Sequence, residues 1–388
     1  MSDEVPYLTS RLQGFGTTIF AEMSALAVAT GSINLGQGFP DTDGPPEVLD
    51  AAVAAIRAGD NQYPPGIGVP ALRHAIADHQ RHWYDLAYDP DTEVLVTTGA
   101  TEAIAAALLA LCEAGDEVVT FEPYYDSYAA CIAMAGASRH VVQLRAPDYA
   151  FDADALARAV TPRTRILLLN SPHNPTGKVF SRDELDVIAR LCVEHDLIAV
   201  TDEVYEHLVF EGEHVPLASL PGMRERTVTI SSGGKTFSCT GWKVGWVCAT
   251  PELVTAVRTA KQFLTYVGSA PYQHGVAAGL ALPDDRIGAL AVELRDKRDR
   301  LADGLATAGF AVLPCAGTYF LTADIRPLDE HDGLAFCRAL PERCGVVAVP
   351  NVVFYDDKEA GLPFVRFACC KRTEVIEEAA SRLKALVR

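Results

Sequence analysis

A lysine just beyond a glycine-rich turn can act as an amine nucleophile, and Ser231-Ser-Gly-Gly-Lys-Thr-Phe-Ser238 puts Lys235 in that setting. The stretch follows a short β-branched run and leads into Gly241-Trp-Lys-Val-Gly245, so its backbone can approach a ligand closely. Ser232 stands three residues before the lysine and Lys243 eight after it, adding a hydroxyl and a cation. An aldehyde bearing a phosphate would engage all three groups: the amine as an imine, the hydroxyl and cation on the anion. Two other chemistries compete for the same residues. Gly234-Lys235-Thr236 matches the end of a nucleotide-binding G-x-x-x-x-G-K-[ST] loop, but its first glycine would fall at Thr229. Ser232-Gly-Gly-Lys235 is formally the S-x-x-K of acyl-enzyme hydrolases, yet neither S-D-N nor K-T-G occurs in the chain. A solvated loop lysine is the plain reading, and four other segments weigh against it.

Thr97-Thr-Gly-Ala-Thr-Glu102 reads as a strand end, a glycine turn and a helix start, where the amides of Ala100 and Thr101 would favour phosphate. Any strand-to-helix turn looks similar, and Thr98 or Thr101 would serve equally as a helix cap. Asn170-Ser-Pro-His-Asn-Pro-Thr-Gly177 is a stiff turn that holds Asn174 in one place. In Thr201-Asp-Glu-Val-Tyr205, Asp202 ends an apolar strand, where a carboxylate is costly unless paired. A pyridinium nitrogen would be such a partner, with Tyr205 reaching a neighbouring phenolic oxygen; a helix N-cap is the competing role for Asp202. Phe364-Val-Arg-Phe367 sets Arg366 in an apolar strand, where a planar carboxylate or phosphate satisfies its fork and a structural salt bridge is the alternative. His74, Asp78 and His82, spaced four apart, share a helical face as metal ligands do, but their neighbours Arg73, His79, Gln80 and Arg81 point to a solvated helix. No metal site is expected. The histidines, His173 included, show no triad arrangement.

Taken in order, Gly99-Ala-Thr101, Glu122-Pro-Tyr124, Asn170 to Gly177, Asp202 to Tyr205, Ser232-Gly-Gly-Lys235, Lys243 and Arg366 resemble the class I/II aminotransferases over nearly the whole chain. Asn34-Leu-Gly-Gln-Gly-Phe-Pro-Asp41 and Asn61-Gln-Tyr63 are similar to the kynurenine, glutamine and methionine aminotransferase subgroup. The chain is also similar to actinobacterial N-succinyldiaminopimelate aminotransferases. The resemblance implies a fold type I α/β architecture, pyridoxal 5'-phosphate as cofactor and a homodimer with a shared active site. It implies that Lys235 carries the coenzyme as a Schiff base, that Asp202 pairs with the ring nitrogen, and that Asn174 and Tyr205 contact the ring oxygen. Tyr124 would stack on the ring. Gly99, Ala100, Thr101, Ser232 and Lys243 would hold the phosphate, with Tyr63 reaching over from the second subunit. Arg366, Asn174 and the backbone of Gly38 would grip the substrate carboxylate. Lys243 stands where many members have arginine, so the phosphate would meet a point charge rather than a fork.

The implied reaction moves an amino group from an L-amino acid to a 2-keto acid in two half-reactions. N-succinyl-LL-2,6-diaminopimelate with 2-oxoglutarate, a step of lysine synthesis, is the leading pair. A kynurenine, glutamine or methionine aminotransferase and a C–S β-lyase share every coenzyme residue. A non-catalytic regulator is disfavoured, because no helix-turn-helix region is added and the lysine is intact.

These residues must be positioned by elements, and from about residue 94 short apolar runs alternate with helical ones, the pattern of a mostly parallel sheet between helices. Seven strands are expected: 94–98, 117–121, 140–144, 165–170, 197–202, 227–231 and 244–249. Helices are expected near 101–112, 126–135, 151–160, 182–195 and 251–264. After Pro283 a charged helical stretch, 285–307, precedes shorter strands, so the expected division is an arm over 1–40, a large coenzyme-binding domain over 41–283 and a small α+β domain over 284–388. The 33 basic and 51 acidic residues of the 388 give a formal charge of -18, which disfavours nucleic acid and anionic membrane surfaces. Ten scattered cysteines without a C-x-x-C pair suggest reduced thiols. The acidic start and a longest apolar run of ten residues, Ala103–Cys112, point to the cytoplasm rather than export or a membrane.

Overall fold

The computed structural model describes residues 5–16 and 18–387; the first four residues of the expected arm, with Thr17 and Arg388, lie outside the described residues. The seven expected runs form one sheet: β1 (Val94–Thr98), β2 (Glu117–Glu122), β3 (Ser138–Gln143), β4 (Thr164–Asn170), β5 (Ile198–Asp202), β6 (Thr227–Ser232) and β7 (Val244–Cys248). Their spatial order is β1-β7-β6-β5-β4-β2-β3. All neighbouring strands are parallel except β7, which runs antiparallel to both β1 and β6. Ile166 and Leu168 of β4 pack into one apolar cluster, Leu167 and Leu169 into another. That alternation, with every residue apolar, belongs to a strand covered by helices on both faces. The helices Gly99–Leu111, Ser127–Met134, Ala153–Ala159, Arg182–Glu194 and Pro251–Leu264 fall near the expected positions. Ser181 and Glu184 form a capping box at the start of the fourth of these.

A second sheet follows, built from β8 (Ala311–Val312), β9 (Phe320–Asp324), β10 (Val349–Pro350) and β11 (Phe364–Ala368), with β9 and β11 antiparallel and Thr322 opposite Arg366. Met23 and Ala27 of the helix Ile19–Thr30 share a core with Leu301, Phe336 and Ile376, and Ile33–Asn34 pairs in parallel with Val346–Val347. Among the described residues, no helix is long and apolar enough to cross a membrane. All ten cysteines are free thiols, and only Cys344 is not fully buried.

The helix Pro70–Tyr84 differs from the solvated helix expected there. His74, Asp78 and His82 do face water, but Arg73, His79 and Gln80 are buried. Leu72 and Ile76 define the inward face, and residues one and three or four positions along are carried in with them. Arg73 is held by Asp91 at 2.5 Å and by the Gly68 carbonyl at 3.2 Å. Nε2 of His79 lies 2.6 Å from Nε2 of His207, and with Glu206 the three offer ligand atoms within 4.8 Å of one another. Two nitrogens on one tetrahedral zinc would stand roughly 3.3 Å apart, so the histidines form an N–H···N hydrogen bond. Burial pushes His79 down to about 3, helped by His82, and His207 down to about 4.

Both imidazoles are therefore neutral in the folded chain and take up protons on unfolding. Their contribution is complete above the ordinary histidine value of 6.5 and is lost as pH falls towards 4 and 3. The melting temperature of His79→Asn should fall less steeply than that of the unaltered protein between pH 6.5 and 4, as read by calorimetry.

Candidate active site

The parallel strands β4, β5 and β6 end side by side, and Asn170, Asp202 and Ser232 stand at their carboxyl edge. Open parallel sheets bind ligands at that edge. A cavity of about 330 Å³ opens there, lined by Gly38, Gly99, Ala100, Thr101, Asn174, Asp202, Tyr205, Ser232, Lys235, Lys243 and Arg366 among others. Eleven of the thirteen residues singled out in the sequence thus share one cavity, drawn from both sheets and from the segment after the first helix.

Each is placed by a traceable local cause. Asn170 donates through Nδ2 to the Asp202 carbonyl at 2.7 Å, and its Oδ1 accepts the Asn174 amide at 2.7 Å. One side chain therefore fixes the neighbouring strand end and the turn that carries Asn174. Asn174 Oδ1 accepts from Arg366 Nη1 at 2.8 Å, and the Gly36 carbonyl accepts from Nη2 at 3.3 Å. Arg366 is 1% exposed, its Nε has no hydrogen-bond partner among the described residues, and the rings of Phe320, Phe354 and Phe20 lie 3.9, 4.8 and 5.3 Å from its guanidinium carbon. A buried guanidinium that bonds only neutral oxygens, with the Asp126 charge acting on it through space, can still take a carboxylate in direct contact.

Asp202 has the opposite need. It accepts a 2.6 Å hydrogen bond from Tyr128 and one of 3.4 Å from the Val204 amide, but burial outweighs both and pushes its carboxyl up to about 6. Lys235 is pulled down to about 8, chiefly by burial, which keeps a useful share of its amine neutral near pH 7. Burial, then the Asp202 charge, pushes the Tyr205 phenol up, so it stays protonated.

At the far end, the helix Gly99–Leu111 points its first-turn amides, which have no intrahelical acceptor, into the cavity. Because β7 pairs antiparallel with β1, Lys243 returns to this helix start, its Nζ 3.2 Å from where a Cβ on Gly99 would lie. Gly99 has φ of +73°, and Gly245 packs so closely that a Cβ there would sit 2.6 Å from the Gly99 carbonyl carbon. The cavity thus presents a cation and free amides at one end, a carboxylate needing a cation at the other, an amine between them, and a buried arginine above. A phosphorylated pyridine aldehyde matches that donor set: phosphate, ring nitrogen and aldehyde each meet the group they require.

Two residues stand elsewhere. Tyr124, expected to stack on a ring, instead donates to Asp356 at 2.6 Å, while its amide donates to the Phe354 carbonyl at 2.9 Å. Arg139 anchors Asp356 at 2.7 Å, so the Tyr124 phenol is committed away from the cavity, and Tyr125 lines it. Tyr124 is thus absent from the cavity lining, where its neighbour Tyr125 stands. Tyr63 is 81% exposed, edge-on to Tyr266 at 5.4 Å, beside a separate groove. Tyr128, Tyr319 and Phe320 also went unassigned in the sequence, although Tyr124-Tyr-Asp-Ser-Tyr128 offered the aromatic spacing.

The chain belongs to the class I and II aminotransferases, whose family model matches residues 30–383. It is a pyridoxal-phosphate-dependent transaminase that moves an amino group between an amino acid and a 2-keto acid. Among its relatives, the probable N-succinyldiaminopimelate aminotransferase DapC of Mycobacterium tuberculosis is 56% identical, over 97% of this chain and 98% of that protein. The solved structure of N-succinyldiaminopimelate aminotransferase from Mycobacterium tuberculosis superposes with a TM-score of 0.96, covering 98% of this chain and all of that one. The methionine aminotransferase of Escherichia coli is 39% identical over 97% of this chain and 98% of its own length.

Two outcomes follow from the packing and the charges. Gly245→Ala should displace the Gly99–Ala100 backbone and weaken coenzyme binding by about tenfold or more, about 1.4 kcal/mol, measured by spectrophotometric titration. In the coenzyme-free protein, the raised Asp202 value favours the folded state most below pH 3.8, an advantage lost as pH rises through about 6. Coenzyme-free Asp202→Asn should therefore gain stability over the unaltered chain across that window, by on the order of 2–3 kcal/mol, in urea titrations.

Proposed function

We propose that this chain transfers the amino group of N-succinyl-LL-2,6-diaminopimelate to 2-oxoglutarate, as a cytoplasmic homodimer in lysine synthesis. The observation that carries the substrate assignment is the 56% identity, over nearly the full length of both proteins, to the Mycobacterium tuberculosis relative of that name. A methionine, glutamine or kynurenine aminotransferase is the second reading, favoured by the 39% identity to the Escherichia coli methionine enzyme. A cysteine-conjugate C–S β-lyase would use the same coenzyme residues.

When bound, the coenzyme supplies an aldehyde for imine exchange and a protonated ring that accepts electron density from the substrate's Cα. The protein's residues divide the remaining work. Gly99, Ala100, Thr101, Ser232 and Lys243 hold the phosphate, the amides and the cation acting on one anion. Asp202 keeps a proton on the ring nitrogen, and Tyr128 keeps Asp202 in line. Asn174 and Tyr205 donate to the ring oxygen. Arg366 clamps the α-carboxylate in a desolvated fork, which turns the Cα–H towards Lys235. The Lys235 amine would then take that Cα proton and hold it for return.

Tyr63 fits a role in the partner's site, since it is exposed on its own subunit and is not among the residues that line that subunit's cavity. The division into an arm over 1–40, a large domain over 41–283 and a small domain over 284–388 accounts for a cavity that draws Phe20, Lys235 and Arg366 from three stretches of chain. A donor and acceptor screen with the purified protein tests the substrate. Succinylated diaminopimelate with 2-oxoglutarate should exceed methionine and kynurenine in kcat/KM by on the order of 10²-fold, about 2.7 kcal/mol. Preference for either of those amino acids would overturn the assignment.

A further inference from the structure

We infer that Tyr319 is a positioning residue for Lys235, a link that aims the lysine's lone pair at the substrate while the amine carries the proton. The inference rests on the reading of Lys235 as the coenzyme-binding amine and adds a residue to it. Tyr319 begins the segment into β9 of the smaller sheet and is 1% exposed. Its hydroxyl accepts a hydrogen bond of 2.8 Å from Lys235 Nζ and donates one of 2.6 Å to the Gly38 carbonyl.

A phenol has one proton to give, and here the Gly38 carbonyl, which can only accept, takes it. Tyr319 can therefore only accept from the lysine. The neutral ε-amine has two N–H groups and one lone pair, and spending one N–H on Tyr319 leaves the lone pair free on the cavity side. When that lone pair accepts the Cα proton, the resulting ammonium keeps one N–H on Tyr319 and holds the transferred proton facing the cavity. No net charge moves through the phenol, and the ammonium's other two N–H groups face the cavity.

The ring itself is well fixed. Tyr205 meets it edge-on at 5.4 Å and Phe320 at 4.8 Å. A Cβ on Gly38 would lie 2.4 Å from the Phe320 ring and 3.1 Å from that of Tyr319, so the segment carrying the acceptor carbonyl sits directly against both rings. Cys369 is bonded to the Tyr319 backbone, its amide donating to the Tyr319 carbonyl at 2.8 Å. The hydroxyl is thereby held from the ring side and from the main chain, and misplacement of about 1 Å at a reacting group costs on the order of 10²-fold in rate.

Tyr319→Phe removes the oxygen and keeps the ring. In the holoenzyme, the expected result is retained coenzyme absorbance with a half-reaction slowed by on the order of 10²-fold, little change in KM, and a larger isotope effect with α-deuterated amino acid. An unchanged half-reaction rate and isotope effect in coenzyme-loaded Tyr319→Phe would overturn the inference. Unaltered protein that binds no coenzyme through Lys235 would instead overturn the proposed function, so the two failures are distinguishable. Should Tyr319→Phe not fold, 3-fluorotyrosine placed at position 319 alone keeps the shape and weakens the acceptor. The acid limb of the half-reaction pH profile should then move to lower pH, and an unmoved limb would overturn the inference.

Discussion

Two buried charges, the Asp202 carboxylate and the Arg366 guanidinium, govern this molecule because neither forms an ion pair with the chain's own residues among those described. A desolvated charge without a counter-ion is among the most expensive features a fold can carry. Here the cost is met by hydrogen bonds from Tyr128 and to Asn174, which hold the charged groups without neutralising them. The cavity is thereby complementary to something from outside, with a cationic ring at one side and a carboxylate at the other. Lys235 lies within this field, and burial rather than any single neighbour keeps its amine reactive.

The fold's division of labour follows from that need. Asp202, Asn170 and Ser232 come from a parallel sheet covered on both faces, where strand ends are rigid. Arg366 comes from a different sheet, paired with Thr322 and roofed by Phe320 and Phe354. Bringing charges from separate sheets keeps them from pairing with each other. The segment after the helix Ile19–Thr30 closes the arrangement: Gln37 donates to the Phe20 carbonyl at 3.0 Å and to Ser24 at 2.6 Å, and Lys371 donates to the Phe39 carbonyl at 2.6 Å.

The chain's own residues made much of this legible. The parallel sheet could be read because buried parallel strands are continuous apolar runs, and polar residues at their ends, such as Asp202, stand out against them. Lys235, Asn174 and Arg366 could be read because each breaks its local pattern. What could not be read is which way a side chain turns where no period applies. Tyr124 and Tyr125 are chemically alike, and only the distant Asp356 and Arg139 decide which of them lines the cavity. His79 looked like part of a solvated face, since a buried imidazole is recognisable only by its partner, His207, 128 residues along the chain. Tyr319 gave no signal, because its role depends on two hydrogen bonds to residues far away in sequence.

The reversed strand β7 has a consequence for engineering. It returns the chain from Lys235 to the helix start at Gly99 within ten residues, so the segment 236–243 acts as a tether of fixed length between the amine and the anion-holding end. Loop grafts or new chain ends placed there would change the spacing of both ends of the cofactor at once. Phe20 and Gln37, which also line the cavity, belong to another segment and lie outside that tether.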